Sequence, residues 1–352
     1  MNPLLEKAEK ARSASQFQKA QKIYKRILGR SSADSEEKIE AYLGLADMER
    51  IQGFFPESLA HYQKAAHLFK GHHGETCWDA QVGWALAARA SGRPKEALVV
   101  LHKALATYQK EKDPQGEAFA HWALGGTLRI AGDMKKGLQE LQSALKMFKA
   151  QKDLDGVAYT CCALGGIHRM LGRYAESGKY YREANRRMRS LKDTFGIAYS
   201  YCGLGNVERM GGRFHQALPF YRKAEKLYGA IGDRVSYAYT LWSLGTTYKM
   251  LGQYTQAHRA FYKADTLFKK TGDTRGRIYS LLGFAEVEFL KKRLVQGNAW
   301  WKKAKSIAGK SDFVWEKLHV QSLKNGKIQP LSSHYQKAGS HFHPISFPVN
   351  WP

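Results

Sequence analysis

Glycine recurs at intervals of forty residues through the middle of the chain, and this period constrains the fold more than any other sequence feature. The glycines are Gly92, Gly132, Gly172, Gly212 and Gly252. Aspartate and alanine keep the same interval, at Asp113, Asp153, Asp193, Asp233 and Asp273 and at Ala104, Ala144, Ala184, Ala224, Ala264 and Ala304. Three residue types in step indicate copies of one structural unit, so a length of 352 residues does not imply separate globular domains.

Each series has a physical interpretation, and together they predict two antiparallel helices in every unit. An aspartate suits a helix N-cap, where its carboxylate accepts backbone N–H groups and complements the helix dipole. A glycine suits the left-handed turn that ends the first helix, because it has no Cβ. The alanines of the second helix, and the glycine of pairs such as Leu244-Gly245 in the first, let neighbouring helices approach closely.

The order Leu244-Gly245, Ala257, Phe261 and Ala264 resembles the signature of the tetratricopeptide repeat. The forty-residue period resembles the long-helix variants found in kinesin light chain, cell-polarity scaffolds and bacterial peptide-sensing regulators. The resemblance covers about residues 2 to 305. It implies an all-α fold, a right-handed superhelical solenoid of about eight helical hairpins.

The columns divide the chain into a solenoid over residues 1–310 and a shorter C-terminal part. The predicted units are 2–33, 34–72, 73–112, 113–152, 153–192, 193–232, 233–272 and 273–310. A capping helix is predicted over 311–326, with Asp312 as its N-cap and Asn325-Gly326 at its end. Residues 327–352 carry four prolines and no helical period, which predicts a tail that is disordered or lies along the solenoid.

No catalytic signature is present in the sequence: it has no GxxxxGKS/T loop, no GxSxG turn and no HExxH pair. Glycine-rich stretches such as residues 203–206 recur in register and are therefore helix-packing columns. We expect a non-catalytic protein with no cofactor and no small-molecule substrate.

Metal and membrane sites are also not expected. The four cysteines form no CxxC pair, and neither His72-His73 with Cys77 nor the set His334, His341 and His343 has further ligands at a suitable spacing. No stretch approaches the roughly twenty apolar residues of a membrane helix, and the N-terminus is charged from Glu6 onward. We therefore expect a cytoplasmic protein.

The first helix of each unit carries the candidate binding residues. A cation stands four residues after the Leu-Gly glycine, and aromatic or small polar residues precede it at steps of 3, 4 and 3, which keeps them on one helix face. The cations are Arg50, Arg89, Arg129, Arg169, Arg209 and Lys249, with Arg12 in the first unit. The other members are Phe119, Trp122, Tyr159, Tyr199, Asn206, Tyr239, Trp242 and Tyr279. The family resemblance implies that this face lines the concave groove.

A row of cations beside a row of aromatics predicts a protein-interaction scaffold that binds an acidic, extended peptide or helix. Two alternatives stay open. One inherited arginine could recur in every copy and only pack between units. The formal net charge of +25 also keeps sequence-tolerant RNA or DNA binding in view, with less support because no nucleic-acid module accompanies it. We expect charge reversal at Arg129, Arg169 and Arg209 together to abolish binding while leaving stability nearly unchanged.

Overall fold

The computed structural model describes residues 2–74, 76–337, 344 and 346–352. The all-α fold is confirmed. The helices are α1 Pro3–Ser13, α2 Phe17–Leu28, α3 Ser35–Gln52, α4 Phe55–His73, α5 Trp78–Ala90, α6 Pro94–Glu111, α7 Pro114–Ala131, α8 Met134–Ala150, α9 Leu154–Met170, α10 Tyr174–Ser190, α11 Thr194–Met210, α12 Phe214–Ile231, α13 Arg234–Met250, α14 Tyr254–Thr271, α15 Thr274–Leu290, α16 Leu294–Gly309, α17 Val314–Ser322 and α18 Ser332–Lys337. From α1 to α16 each helix packs on the next along the chain, which gives a solenoid of helical hairpins. None of the described helices is both long and apolar enough to cross a membrane.

The recurring aspartates and glycines act as the sequence predicts. The Asp153 carboxylate accepts a hydrogen bond of 2.8 Å from the Gly156 amide at the start of α9, and the other aspartates of the series cap α7, α11, α13 and α15 in the same way. Gly132 ends α7 with a φ of 96°, a left-handed conformation that favours glycine. These two signals set the start and the end of the first helix in each central unit.

The glycine after each leucine allows the two helices of a unit to touch. A Cβ at Gly245 would lie 2.7 Å from Cδ1 of Phe261, which is fully buried on the second helix of the same unit. Tyr181 and Tyr221 fill the matching spaces beside Gly165 and Gly205. The glycine thus lowers helix propensity but makes room for an aromatic ring between the helices.

The solenoid curves until its first hairpin meets helices α11 to α13. The rings of Phe17 and Phe195 lie 5.9 Å apart, and the Phe195 amide donates a hydrogen bond of 3.3 Å to Ser15 Oγ. Nearby, the Arg234 guanidinium lies 5.0 Å from the ring centre of Phe54. These contacts join the two ends of one superhelical turn, and the turn encloses a central channel.

The C-terminal part differs in detail from the prediction. The helix covers Val314–Ser322, and Asp312 faces Lys95 Nζ at 3.2 Å and makes no cap. Leu323–Lys324 and Lys327–Ile328 pair as two short antiparallel strands, because Asn325 and Gly326 both adopt positive φ and form a tight hairpin turn. The predicted tail contains the short helix α18, and part of it, with His341 and His343, lies outside the described residues.

Helix α17 covers one end of the channel. Trp315 and Leu318 pack into an apolar cluster with Leu164 and Ile167 of α9, and Phe313 lies against the turn at Gly92. This helix therefore connects the last hairpin with the middle of the solenoid, on the far side of the channel.

Candidate functional site

The first helices of the units line the channel, as the family resemblance implies. A cavity of about 240 Å³ lies between α5, α7, α9, α11, α13 and α15. Nine of the predicted binding residues contribute to its wall: Arg89, Trp122, Arg129, Arg169, Tyr199, Asn206, Tyr239, Trp242 and Tyr279. The structure thus brings together residues that are separated by up to about 190 positions in the sequence.

Five of the predicted binding residues lie outside the cavity wall: Arg50, Phe119 and Tyr159, and also Arg209 and Lys249, which are described below. Arg50 forms an ion pair of 2.8 Å with Asp47, and Phe119 is 41% exposed, with its ring stacked on that of Trp122. Tyr159 donates a hydrogen bond of 2.5 Å to Asp193 Oδ2, the N-cap of the next unit. Arg50 and Tyr159 are thus held by structural contacts.

The tyrosine column is partly structural even where it reaches the channel. Tyr239 donates a hydrogen bond of 3.3 Å to Asp273 Oδ1, again the N-cap one unit further on. Tyr279 is buried and contacts the Arg275 guanidinium. These rings hold consecutive units together, so only part of their surface is free to contact a ligand.

Arg89 reaches toward the next unit. Arg89 Nη1 donates hydrogen bonds to the Ala123 carbonyl at 3.2 Å and to Thr127 Oγ1 at 3.4 Å. The absence of a Cβ at Gly126 makes room for it, since a Cβ there would lie 2.6 Å from Nη1. Burial lowers the pKa of Arg89 to about 9, and the neighbouring positive charges of Arg50 and Arg129 add to the shift.

Arg129 and Arg169 carry positive charge that no carboxylate balances within the described part of the chain. Both side chains are half-buried, and Nε and Nη1 of Arg169 are buried without a hydrogen-bond partner there. Burial lowers the pKa of Arg129; Tyr199 opposes that shift, and the positive charges of Arg275 and Arg169 strengthen it. An anionic group in this cavity would therefore gain hydrogen bonds and relieve charge repulsion.

Arg209 is completely buried, and its partners include a segment from near the end of the sequence. Its Nη1 donates hydrogen bonds to Asn350 Oδ1 and, at 2.6 Å, to the Trp351 carbonyl oxygen. Asn350 Nδ2 donates in return to the Arg209 carbonyl at 2.7 Å. Nε of Arg209 also donates to the Tyr221 hydroxyl at 3.2 Å. We call Val349–Pro352 the inserted segment, because it lies inside the channel.

Lys249 and Glu286 hold the other end of the inserted segment. These two fully buried residues form an ion pair, and Lys249 Nζ also donates to the Val349 carbonyl oxygen at 2.6 Å. The Glu286 carboxylate accepts from the Val349 amide at 3.2 Å and from the Trp351 indole N–H. The buried charges are therefore compensated by each other and by main-chain groups of the segment.

Helix α17 and the residues after it surround the Trp351 side chain of the inserted segment. The Trp351 ring lies 4.6 Å from the ring of His319, and Nδ1 of His319 is 2.8 Å from the Tyr335 hydroxyl. Beside it, Arg275 Nε donates to Glu316 Oε1 at 2.6 Å. Burial lowers the pKa of His319 to about 3, so the ring is neutral at neutral pH; Glu316 opposes this shift and Arg275 adds to it.

The sequence prediction omitted Arg275, Glu286, Glu316, His319 and the inserted segment. Of these residues, only Glu286 could have been noticed in the sequence, because it departs from the forty-residue pattern. It occupies the column that holds Gly126, Gly166, Asn206 and Thr246 in earlier units, so an acidic residue there departs from the pattern and faces Lys249, 37 positions earlier.

The histidine pair of the first metal candidate has a different neighbour from the one considered in the sequence. His72 and His73 place Nε2 at 3.3 Å and 2.7 Å from Glu36 Oε1 on the neighbouring helix, while Cys77 is buried elsewhere. All three groups are exposed, and they are the one set of potential ligands found among the described residues.

Comparisons with known proteins agree with this architecture. Residues 156–230 match the family model of the tetratricopeptide repeat. No curated protein sequence matches the chain significantly. Among solved structures, a Rap protein complexed with competence and sporulation factor superposes with a TM-score of 0.63 at 14% identity, covering 87% of this chain and 97% of that one.

Two further structures are similar. The Rap conjugation gene regulator of plasmid pLS20, in complex with the Phr* peptide, gives a TM-score of 0.65 at 15% identity, covering 79% of this chain and 75% of that one. The apo quorum sensor NprR from B. thuringiensis gives 0.56 at 16% identity, covering 83% and 80%. At these identities the similarity shows the fold, and the predicted tetratricopeptide-type repeat is confirmed.

Proposed function

We propose that the protein is a non-catalytic interaction scaffold that binds an extended, acidic segment of a partner protein inside its channel. The observation that carries this proposal is the uncompensated pair Arg129 and Arg169, which faces a cavity next to a stretch of chain bound in the channel. The side chains of Arg209, Lys249 and Glu286 bind that stretch through main-chain groups, and any peptide offers such groups.

The comparisons support a peptide as the ligand. One Rap structure contains the Phr* peptide, and that protein covers most of the length of this chain with the same fold. For this chain the acidic character of the ligand is argued from the channel itself, because guanidinium groups form strong, often bidentate hydrogen bonds with carboxylates. The proposal assigns no cofactor and no chemical step, and it places the protein in the cytoplasm, where a partner protein is available.

Selection from a random peptide library tests the proposal. We expect the wild-type protein to enrich peptides that contain aspartate or glutamate. The charge-reversed variant R129E/R169E should lose these peptides by about a hundredfold and enrich lysine or arginine instead, because two close charge pairs each contribute roughly 1.5–3 kcal/mol. Equal enrichment of acidic peptides by both proteins would contradict the proposal.

Arg209 is left out of this variant, contrary to the sequence prediction. Its guanidinium is buried and hydrogen-bonded to Tyr221, Asn350 and Trp351, so a glutamate there would destabilise the fold and confuse loss of binding with loss of structure. Lys103, an exposed cation on the second helix α6, gives the matched control. We expect K103E to select the same peptides as the wild type.

Nucleic-acid binding is the competing function, and salt separates it from the proposal. Trp300 and Trp301 of α16 are partly buried: the Trp300 ring stacks on Phe284, and the Trp301 indole N–H donates to the Val320 carbonyl. Lysines also lie over both rings, with Lys303 Nζ 4.4 Å from the centre of the Trp300 ring, so little ring surface is free for bases. A single-stranded oligonucleotide should bind weakly and lose affinity steeply as salt rises. Tight binding that R129E/R169E does not change would favour the nucleic-acid alternative.

A further inference from the structure

The inserted segment is held by contacts that depend on its sequence. The Asn350 side chain uses both of its polar groups, since Oδ1 accepts from the Arg209 guanidinium and Nδ2 donates to the Arg209 carbonyl. An aspartate at this position could not donate the second hydrogen bond, and an alanine would leave a buried arginine with an unpaired N–H group. The site therefore discriminates in favour of asparagine.

The contacts of Trp351 also depend on its residue type. Trp351 is 1% exposed, its ring lies against His319, and its indole N–H donates to Glu286. A phenylalanine or leucine could fill part of the space but could not donate to the carboxylate. Since a buried carboxylate that loses a donor is costly, the pocket favours tryptophan over other large apolar residues.

The segment has a defined direction through the channel. Val349 contacts Lys249 and Glu286 on α13 and α15, and Asn350 and Trp351 contact Arg209 on α11. Pro352 lines the same cavity as Arg129 and Arg169 of α7 and α9. A peptide bound in the same direction would place the residues that follow the tryptophan among the uncompensated arginines.

We infer that Val349–Trp351 is a built-in ligand and that the partner segment is a peptide with an asparagine–tryptophan pair followed by acidic residues. This inference rests on the proposed function. The partner peptide makes the contacts of the inserted segment and adds carboxylates opposite Arg129 and Arg169. Binding therefore requires the inserted segment to leave, so the apparent dissociation constant for the partner is the intrinsic value divided by the fraction of molecules whose channel is open.

A labelled peptide tests this competition on the full chain. The probe is Ser-Phe-Pro-Val-Asn-Trp-Pro-Asp-Asp, which repeats residues 346–352 and adds two aspartates, and binding is followed by fluorescence polarisation. The variant N350A/W351A frees the channel of its own segment and should bind the probe at least about tenfold more tightly than the wild type. A probe with alanine in place of tryptophan should lose about tenfold or more on the same variant.

Hydrogen exchange on the wild-type chain gives a second readout that does not depend on the variant folding. The amides of Val349, Asn350 and Trp351 should exchange slowly in the free protein and quickly when excess probe is present. Equal affinity of the variant and the wild type for the probe, or exchange that the probe does not alter, would overturn the inference.

The two proposals can fail separately. If library-selected acidic peptides bind the wild type and N350A/W351A equally well, the result supports the scaffold function and contradicts the built-in ligand. No binding of either probe or library peptides to a folded N350A/W351A chain would remove both.

Discussion

The two halves of the channel carry the same column of cations but balance it in opposite ways. In the half formed by α11, α13 and α15, Arg209 and Lys249 are completely buried, and the inserted segment and Glu286 satisfy them. In the half formed by α7 and α9, Arg129 and Arg169 face a cavity and have no carboxylate partner among residues 2–74, 76–337, 344 and 346–352. We call these the filled half and the open half.

The difference shows that a repeated residue does not have a repeated role. In the filled half the cation at this position of the repeat has a structural role, because it binds the inserted segment. In the open half the cation at the same position is available to bind another molecule. Burial without compensation destabilises a fold, so an open cationic pocket is a feature that stability alone does not favour. The open half is therefore the better candidate for a surface that acts on another molecule.

Removing a cation should lower the free energy of unfolding in the filled half and slightly raise it in the open half. Lys249→Met would leave the buried Glu286 without its cation, and burial already raises the pKa of this carboxyl, an effect that Lys249 opposes. We expect K249M to lose about 3–5 kcal/mol of the free energy of unfolding. The matched variant R129M removes a half-buried cation with no carboxylate partner, and we expect a change within about 1 kcal/mol, toward higher stability.

Urea unfolding followed by circular dichroism measures both variants. The double variant K249M/E286Q also removes the unpaired charge of Glu286, so its free energy of unfolding should be higher than that of K249M. A large loss in R129M, or a loss in K249M no greater than that in R129M, would show that the two halves do not differ in this way.

Much of the fold was predictable because its signals are local and repeated. The N-cap aspartates mark the start of the first helix and the turn glycines mark its end, and both signals recur every forty residues through the central units. The place of the cations on the inner wall also followed from helix periodicity together with the family resemblance. The structure places Arg129 and Arg169 in the cavity wall, and their role in binding stays a prediction.

The filled half could not be predicted from these signals. Contacts such as Arg209–Asn350 join residues 141 positions apart, and the segment carries no period that could place it. The same limit applies to α17, whose pairing of Glu316 with Arg275 depends on how far the solenoid curves before its end meets the middle. Tertiary closure determines these contacts, and only Glu286, by departing from its column, marked the site in advance.

Acid should weaken the filled half before the open half. His319 has a pKa of about 3 in the folded protein, against an ordinary value of about 6.5, so the unfolded chain takes up a proton between these values and the folded chain does not. Its contribution to stability is complete above about pH 6.5 and is lost as the pH falls toward 3. We expect a loss on the order of 1 kcal/mol per pH unit in this window.

Asp233 works in the opposite direction, because burial raises its pKa to about 6 and its protonation favours the folded state as the pH falls from 6 to about 4. Burial also raises the pKa of Asp273 and of Glu286, and their protonation acts in the same direction as that of Asp233. The variant H319Q isolates the histidine. Between about pH 7 and pH 5 its free energy of unfolding should decline less than that of the wild type. Parallel pH profiles of the two proteins would refute the role of His319.

The smallest effect should come from simple anions in the open half. Sulfate or phosphate can accept hydrogen bonds from Arg129 and Arg169 and reduce the repulsion between them, whereas the filled half has no free cation of this kind within the described structure. A weak anion at a concentration about equal to its dissociation constant stabilises the folded state by about 0.4 kcal/mol. We therefore expect a rise of roughly 0.5 °C in the melting temperature in sulfate compared with chloride at equal ionic strength. The part of the rise that is due to anion binding should be absent in R129M/R169M and present in K103E, because Lys103 lies outside the channel. Sulfate also favours compact states generally by exclusion from protein surfaces, and that effect would raise the melting temperature of both variants alike. The difference between the variants, and not the rise itself, therefore measures whether the open half binds an anion.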